Sequence, residues 1–137
     1  MKAYNAKDIR NIAIAGHSGR GKTTLAEAML FLAKATDRLG RVADGNTVLD
    51  FDAEEKRRKV TIATAMAAFD WNNTKINLLD TPGLFDFAGG VSEGMRAAES
   101  ALIVLAAGSG VDVGAEKAYK AASERKIAKL LAVTRCD

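Results

Sequence analysis

The stretch Gly16-His17-Ser18-Gly19-Arg20-Gly21-Lys22-Thr23 fits the pattern G-x-x-x-x-G-K-[ST] of a phosphate-binding loop, or P-loop. Its glycines let the backbone curl so that successive N–H groups face phosphate oxygens, and a helix after the loop adds the partial positive charge of its N-terminus. In such loops the lysine reaches the β- and γ-phosphates of a nucleotide, and the final hydroxyl binds Mg²⁺. We therefore predict that this stretch and the adjacent Thr24 bind a nucleotide, with Lys22 on the phosphates and Thr23 on the metal.

The flanking sequence supplies the strand and the helix that this pattern requires. Residues 9–15 form a short apolar run that stops at Gly16, which is typical of a buried parallel strand. After Thr24, apolar residues recur at intervals of three and four, which predicts a helix that ends near Ala35. A chance glycine turn before a helix is the alternative interpretation, and the presence of both flanking elements argues against it.

The rest of the chain alternates strands with helices. Residues 36–59 show no sustained period and contain several glycine and aspartate breaks, so we expect a mobile loop with at most one short helical turn. Residues 61–80 predict an antiparallel β-hairpin that turns at Asn72-Asn73-Thr74. Further elements are a short helix within residues 92–99, a strand over residues 101–107, a helix over residues 115–126 and a strand that ends at residue 134. This order predicts an α/β fold with a five-stranded, mainly parallel sheet, one antiparallel strand, and helices on both faces.

A second motif, Asp80-Thr81-Pro82-Gly83, ends the second strand of that hairpin. In a P-loop protein an acid at this point is suited to hold Mg²⁺, either by direct coordination or by a hydrogen bond to a group that coordinates the metal. The Gly83 N–H can approach a terminal phosphate because no Cβ intervenes. The same residues on their own also form a common turn, so the pairing with a P-loop is what favours the functional interpretation.

A third motif, Thr134-Arg135-Cys136-Asp137, follows the final predicted strand. Ligands of α/β proteins bind outside the carboxyl ends of the strands, so these residues would lie at the same edge as the P-loop. The Asp137 carboxylate would accept hydrogen bonds from N1 and N2 of guanine, which adenine cannot donate, and this favours GTP over ATP. An aspartate after a strand with no role in base recognition is the alternative for this motif.

Composition limits the class of protein. The chain has 137 residues, 48% of them hydrophobic and 27% charged, as expected for a single globular domain. It has no apolar stretch as long as the ~20 residues that span a bilayer, and no signal-peptide pattern. Cys136 is its one cysteine, so no disulfide can form within the chain. We therefore expect a cytoplasmic protein without membrane partners, and the net charge of +3 gives no sign of a dedicated DNA-binding protein. The basic run Lys56-Arg57-Arg58-Lys59 is either a solvated charged loop or a contact with phosphate or RNA.

The order of these motifs resembles that of a translational GTPase, and in particular the G domain of bacterial elongation factor G. The resemblance covers nearly the whole chain and includes residues 9–14 before the P-loop, Val60-Thr61-Ile62, residues 76–83 and Asp86-Phe87. It implies that GTP or GDP is bound with Mg²⁺, that residues 36–61 are switch I, and that residues 80–94 are switch II.

The same resemblance assigns roles around the γ-phosphate. It implies that Lys22, Thr61 and Gly83 form the catalytic surroundings of that phosphate, and that Thr61 binds Mg²⁺ together with Thr23 and Asp80. It also implies that the full-length protein works on the ribosome as a nucleotide-gated switch, with rRNA and ribosomal protein as partners. In that family this part of switch I faces the ribosome, so the resemblance also implies that the basic run at residues 56–59 contacts RNA.

The chain departs from the elongation factor G pattern at several positions. Leu84 stands where that family has the histidine that orients the attacking water, which puts hydrolysis by the usual route in question. The P-loop has Ser18 and Gly19 where the family has an apolar residue and an aspartate. The usual N-K-x-D motif is changed in its first two positions, although Asp137 is kept. These changes indicate a divergent paralogue of the housekeeping factor.

We expect residues 1–137 to be a partial GTP-binding domain, truncated after the fourth motif, with apolar surface exposed at the last edge of the sheet. Two other functions stay open. One is a module that holds GTP or GDP without useful hydrolysis, because Leu84 cannot orient water. The other is a P-loop ATPase or kinase of a different lineage, which Asp137 argues against.

Overall fold

A single sheet of five strands organises residues 3–136, the part of the chain that the computed structural model describes. The strands are β1 (Ile9–Ala15), β2 (Ala65–Trp71), β3 (Thr74–Asp80), β4 (Ser100–Ala106) and β5 (Ala128–Thr134). The helices are α1 (Lys22–Leu32), α2 (Ala53–Arg58), α3 (Ala88–Ala97) and α4 (Val113–Glu124). No helix within this part of the chain is both long and apolar enough to cross a membrane.

The strands lie in the order β2-β3-β1-β4-β5, and only the β2–β3 pair is antiparallel. That pair is the predicted hairpin. Its turn residues Asn72 and Asn73 have φ values of 47° and 61°, the left-handed conformation that a tight two-residue hairpin turn requires and asparagine tolerates. The predicted fold, mainly parallel with one antiparallel strand, is confirmed.

Helices cover both faces of the sheet, as predicted. β1 lies at the centre, and its consecutive residues alternate between two separate apolar cores. Ile14 packs with Leu30 of α1 on one face, whereas Ala13 packs with Met95 of α3 and with α4 on the other. Burial on both faces explains why β1 reads as a continuous apolar run rather than an alternating one.

The prediction for residues 36–59 was wrong in one respect. This segment contains a short 3-10 helix, Val42–Asp44, and the six-residue helix α2, rather than at most one helical turn. Asp52 and Glu55 form a capping box at the start of α2. The basic side chains in its last turn stabilise the helix, because they lie at the negative end of the helix dipole. The basic run is therefore mostly helical and not a loop.

Other element boundaries differ by a few residues. α3 begins at Ala88, before the predicted residue 92, and it ends at Ala97. α4 begins at Val113 because the Asp112 side chain accepts the backbone N–H of Ala115 and caps the helix. On the edge strand β5, Leu130, Leu131 and Val133 are each more than half exposed, which agrees with the expected apolar edge.

Met95 offers a test of the core beneath α3, because only 1% of its surface is exposed. Met95→Ala leaves a cavity on the face of the sheet opposite α1, and we expect a loss of ~2–5 kcal/mol in the free energy of unfolding. Urea denaturation followed by circular dichroism measures this loss. A change near zero would mean that α3 does not pack as described.

Candidate nucleotide-binding site

The three predicted motifs meet at one edge of the sheet. The P-loop joins β1 to α1, Asp80 ends β3, and Thr134 ends β5, so all three follow the carboxyl ends of parallel strands. A cavity of about 230 Å³ opens between them. The residues that line it are Ser18, Gly19, Gly21, Lys22, Thr23, Thr24, Val42, Asp50, Lys59, Val60, Thr61, Gly83 and Arg135.

Lys22 is the cation at the floor of this cavity. It is 6% exposed, and its Nζ donates a hydrogen bond to the carbonyl of His17 at 3.1 Å. Burial lowers the pKa of Lys22, while the nearby carboxylates of Asp80, Asp112 and Asp50 oppose this shift. A partly desolvated ammonium held in a P-loop is arranged to meet an anionic ligand such as a triphosphate.

Gly83 allows the loop after β3 to touch the P-loop directly. The Ser18 N–H donates to the Gly83 carbonyl at 3.1 Å. A Cβ on Gly83 would lie 2.6 Å from the Ser18 nitrogen and would also overlap Lys22 Nζ. Close approach of this loop to the P-loop therefore requires glycine here. The approach of the Gly83 N–H to a terminal phosphate stays a prediction.

A network of hydroxyls and carboxylates connects the P-loop, β3 and residues 36–61, the segment predicted to be switch I. Thr23 Oγ1 donates to Asp80 Oδ2 at 2.6 Å, and Thr61 Oγ1 donates to Asp50 Oδ1 at 2.8 Å. The two hydroxyl oxygens are 3.0 Å apart. Either of these two hydroxyls can donate to the other, so the three hydrogen bonds form one connected network.

These residues fit a divalent cation. The second carboxylate oxygen of Asp80, Oδ1, is buried and has no hydrogen-bond partner among the described residues. Hard cations such as Mg²⁺ take oxygen ligands, and Mg²⁺ in nucleotide sites uses few protein groups together with phosphates and water. The described part of the chain has no cluster of three or more His, Cys, Asp or Glu side chains that could hold a metal ion. A cation beside Thr23 and Thr61 would find oxygen donors in both hydroxyl groups and in Asp80.

Burial shifts the acids of this network toward their neutral forms. Loss of solvent raises the pKa of Asp80 to about 7, although the Thr23 hydroxyl and Lys22 act in the opposite direction. Burial also raises the pKa of Asp50, and the hydrogen bond from Thr61 opposes it. A bound cation would lower both pKa values, because it favours the ionised carboxylates.

Three predicted P-loop residues do not line the cavity. Gly16 has a φ of 134°, and a Cβ there would lie 2.5 Å from the carbonyl oxygen of Val104 in β4. Glycine therefore allows the start of the P-loop to pass close to the backbone of β4. The His17 ring packs against Phe85 at 5.6 Å between centroids, in line with a packing role rather than base catalysis. The Arg20 side chain points to Asp112 and not to the cavity.

The Arg20–Asp112 ion pair ties the P-loop to the N-terminus of α4. Its N–O distance is 2.8 Å, and both side chains are less than a quarter exposed. Burial alone would raise the pKa of Asp112, but the bonds from Arg20 and the Ala115 N–H outweigh it and lower that pKa.

Thr134 supports the P-loop from β5. Its hydroxyl lies 2.7 Å from the Arg20 carbonyl and 3.1 Å from the Leu105 carbonyl. The next residue, Arg135, has a φ of 52° and lines the cavity. Asp137, which the sequence assigned to guanine, lies outside the described residues.

Sequence reasoning missed several residues of the site. Asp50 and Asp112 lie in segments without a motif, so only the fold reveals them. Glu55 is 2% exposed, and its carboxylate accepts the N–H groups of Ile62 and Ala63 next to Thr61. The capping-box spacing from Asp52 to Glu55 was a usable signal for this acid.

A strand-to-helix P-loop, with a strand-end aspartate bonded to its threonine, defines a P-loop nucleotide-binding domain. The chain belongs to the family of the elongation factor Tu GTP binding domain, whose family model matches residues 7–137. The resemblance to translational GTPases that the motifs indicated is thereby confirmed.

Relatives of known name are similar to most of the chain. An elongation factor G-like protein of Mycobacterium tuberculosis (strain ATCC 25618 / H37Rv) is 41% identical over 129 residues, which cover 94% of this chain and 18% of that protein. The mitochondrial ribosome-releasing factor 2 of Drosophila grimshawi is 42% identical over 137 residues, which cover 100% of this chain and 19% of that protein. The chain thus spans about a fifth of the length of these relatives.

Solved structures agree with the fold. A crystal structure of a protein from Thermus thermophilus superposes with a TM-score of 0.92 at 39% identity, covering 94% of this chain and 20% of that one. A bacterial selenocysteine-specific elongation factor superposes with a TM-score of 0.70 at 24% identity, over 88% of this chain and 19% of that one. The second likeness supports the fold alone.

Removal of the Thr134 hydroxyl tests the support that β5 gives to the P-loop. Thr134→Val keeps the shape of the side chain but leaves the Arg20 and Leu105 carbonyls without this donor. We expect a loss of ~1–2 kcal/mol in the free energy of unfolding, measured by urea denaturation. Ser123→Ala, which removes an exposed hydroxyl bonded to the Tyr119 carbonyl within α4, should cost much less. Equal losses in the two variants would contradict the assignment.

Proposed function

We propose that this chain is the GTP-binding switch domain of an elongation-factor-G-like translation factor that acts on the ribosome. The observation that carries the proposal is the contact between Thr61 of switch I and Thr23 of the P-loop, 3.0 Å apart beside Asp80. A residue of a long connecting segment is thereby held at the point where a nucleotide-bound cation would lie. Family membership and the names of the relatives support the same function.

The phosphate groups are held by the P-loop. The backbone N–H groups of residues 19–23 curl around the phosphates, and the N-terminus of α1 adds its dipole. The Lys22 ammonium meets the β- and γ-phosphates, and Gly83 brings its N–H to the terminal one. Mg²⁺, when bound, neutralises charge on the phosphates, and Thr23, Thr61 and Asp80 are the residues that would hold it.

Recognition of the base is assigned to the segment after β5. We assign guanine selectivity to Asp137, with Thr134 and Arg135 as its supports. Thr134 suits this role because its hydroxyl joins the segment to the Arg20 carbonyl of the P-loop. The alternative of an ATPase or kinase from another lineage has no support from the family match.

The proposed switching of residues 36–61 depends on the contact between Thr61 and the γ-phosphate. Thr61 reaches the site only while residues 36–61 are folded over the P-loop, so a ligand that engages Thr61 favours the closed form. Loss of the γ-phosphate removes this preference and releases the segment. The basic side chains of residues 56–59 are exposed on the closed segment, and we propose that they contact rRNA.

Leu84 places a limit on the rate of hydrolysis. It directly follows Gly83, is 36% exposed, and lines a neighbouring cavity with Pro82 and Phe85 instead of the phosphate cavity. Its side chain has no donor or acceptor for a water molecule. This observation favours a second candidate function, a domain that binds GTP and GDP but hydrolyses GTP very slowly.

Lys22→Ala tests the proposed function. We expect it to be the most damaging single substitution for nucleotide binding, because it removes the cation that faces the β- and γ-phosphates. Calorimetric titration with GTP, GDP and ATP in the presence of Mg²⁺ should show binding of both guanine nucleotides, weaker binding of ATP, and loss of all three in the variant. Lys120→Ala, on the exposed side of α4, is the control and should bind like the original chain. Binding of ATP as tight as that of GTP would overturn the guanine assignment.

Leu84→His tests whether the missing histidine limits hydrolysis. Positioned acid–base groups contribute ~10²–10⁴-fold to rate, so we expect at least ~tenfold faster hydrolysis in the variant. The measurement is single-turnover hydrolysis of GTP by the full-length protein on ribosomes, with nucleotide affinity determined alongside. Phe85→His, which moves the histidine by one position, should give no gain. Rapid hydrolysis by the original protein would show that another group orients the water.

A further inference from the structure

Glu27 is a buried carboxylate with no place in the nucleotide site described above. It lies on α1 four residues after Thr23, and 0% of its surface is exposed. An ionised carboxylate inside a protein is costly unless hydrogen bonds replace the water that it has lost. The groups that supply those bonds therefore indicate what the carboxylate does.

Both hydrogen-bond donors come from switch I. Glu27 Oε1 accepts the backbone N–H of Val48 at 2.7 Å and that of Leu49 at 3.0 Å. The Leu49 side chain is 1% exposed and packs in the same apolar core as α1. One oxygen on a rigid helix thus fixes two consecutive peptide groups in the middle of the segment.

Gly40 makes room for this carboxylate. A Cβ on Gly40 would overlap Glu27 Oε2 and would lie 2.9 Å from the Cα of Thr47. Gly40 is not among the glycines with a left-handed φ, so close approach explains its identity and backbone conformation does not. The segment is therefore shaped around Glu27 on two sides.

The peptides that Glu27 fixes lead directly to the nucleotide site. Asp50 follows Leu49, and its carboxylate accepts the Thr61 hydroxyl at 2.8 Å. Contacts thus run without a gap from Glu27, through residues 48–50, to Thr61 beside Thr23.

We propose that Glu27 is a positioning residue that anchors the closed form of switch I to α1 and thereby sets how strongly the domain prefers GTP over GDP. This inference rests on the proposed function, because it requires that Thr61 engages the nucleotide only when switch I is closed. Glu27 does not line the phosphate cavity, and it acts through the positions of Asp50 and Thr61. By stabilising the closed form, Glu27 raises the fraction of molecules that can engage the γ-phosphate, and this raises the apparent affinity for GTP.

Three substitutions separate anchoring from a simple effect of charge near Asp80. Glu27→Asp keeps the charge but withdraws the carboxylate by one methylene, so that it no longer reaches both N–H groups. Glu27→Gln removes the charge but keeps a carbonyl oxygen at the same reach. Gly40→Ala leaves Glu27 unchanged and obstructs the space that its carboxylate occupies. Met95→Ala, which weakens the opposite face of the sheet, is the control for lost stability.

Affinities for a non-hydrolysable GTP analogue and for GDP, each with Mg²⁺, give the first readout. We expect Glu27→Asp and Gly40→Ala to lower the preference for the analogue by roughly tenfold, the scale of a lost hydrogen bond to a charged group, with GDP affinity unchanged. Glu27→Gln should lose less, and Met95→Ala should keep the preference. A larger loss in Glu27→Gln than in Glu27→Asp would overturn anchoring in favour of charge. Should Glu27→Asp fail to fold, Gly40→Ala decides the question.

Hydrogen exchange gives a readout at the anchored peptides themselves. With the GTP analogue bound, the Val48 and Leu49 amides should exchange slowly in the original chain and at least ~tenfold faster in Glu27→Asp. Equal protection in both proteins would overturn the inference. If the original chain binds neither nucleotide, the proposed function fails and the inference falls with it. If it prefers the GTP analogue and the Glu27 and Gly40 variants keep that preference, the anchoring alone fails.

Discussion

The Thr23 hydroxyl is the point on which the architecture of the site depends. It sits at the start of α1, donates to Asp80 at the end of β3, and lies 3.0 Å from Thr61 of switch I. A helix, a strand and a long connecting segment therefore share one small group. Because Thr23 joins these elements, loss of its hydroxyl would remove the bonds from the P-loop to both Asp80 and Thr61.

Close approach of backbones is the second constraint. Gly16 passes beside the Val104 carbonyl, Gly83 touches Ser18, and Gly40 lies over Glu27. At each of these glycines, an added Cβ would collide with a neighbouring polar backbone group or charged side chain. The P-loop can then be tied to neighbouring strands by hydrogen bonds, while its remaining N–H groups stay free for phosphates.

Switch I is held mainly by charged hydrogen bonds. Glu27 and Glu55, both almost fully buried, each accept backbone N–H groups of this segment or of the residues that follow it. Leu49 is the segment's only large apolar side chain that is fully buried within residues 3–136. Little buried apolar area holds this segment, so its attachment to the rest of the domain depends on these few hydrogen bonds. This balance is consistent with the switch role proposed above.

The sequence by itself determined the alternation of strands and helices, the P-loop and the acid at the end of β3, because hydrophobic periodicity and local turn chemistry act over a few residues. The capping box that starts α2 was also readable, although residues 36–59 were expected to contain no more than one helical turn. Only the tertiary structure decided that Asp50 meets Thr61 and that Arg20 pairs with Asp112 instead of lining the cavity. It also decided that Glu27 accepts hydrogen bonds from two peptide N–H groups. These partners lie 11 to 92 residues apart, and no local pattern reports which distant segments the fold brings together.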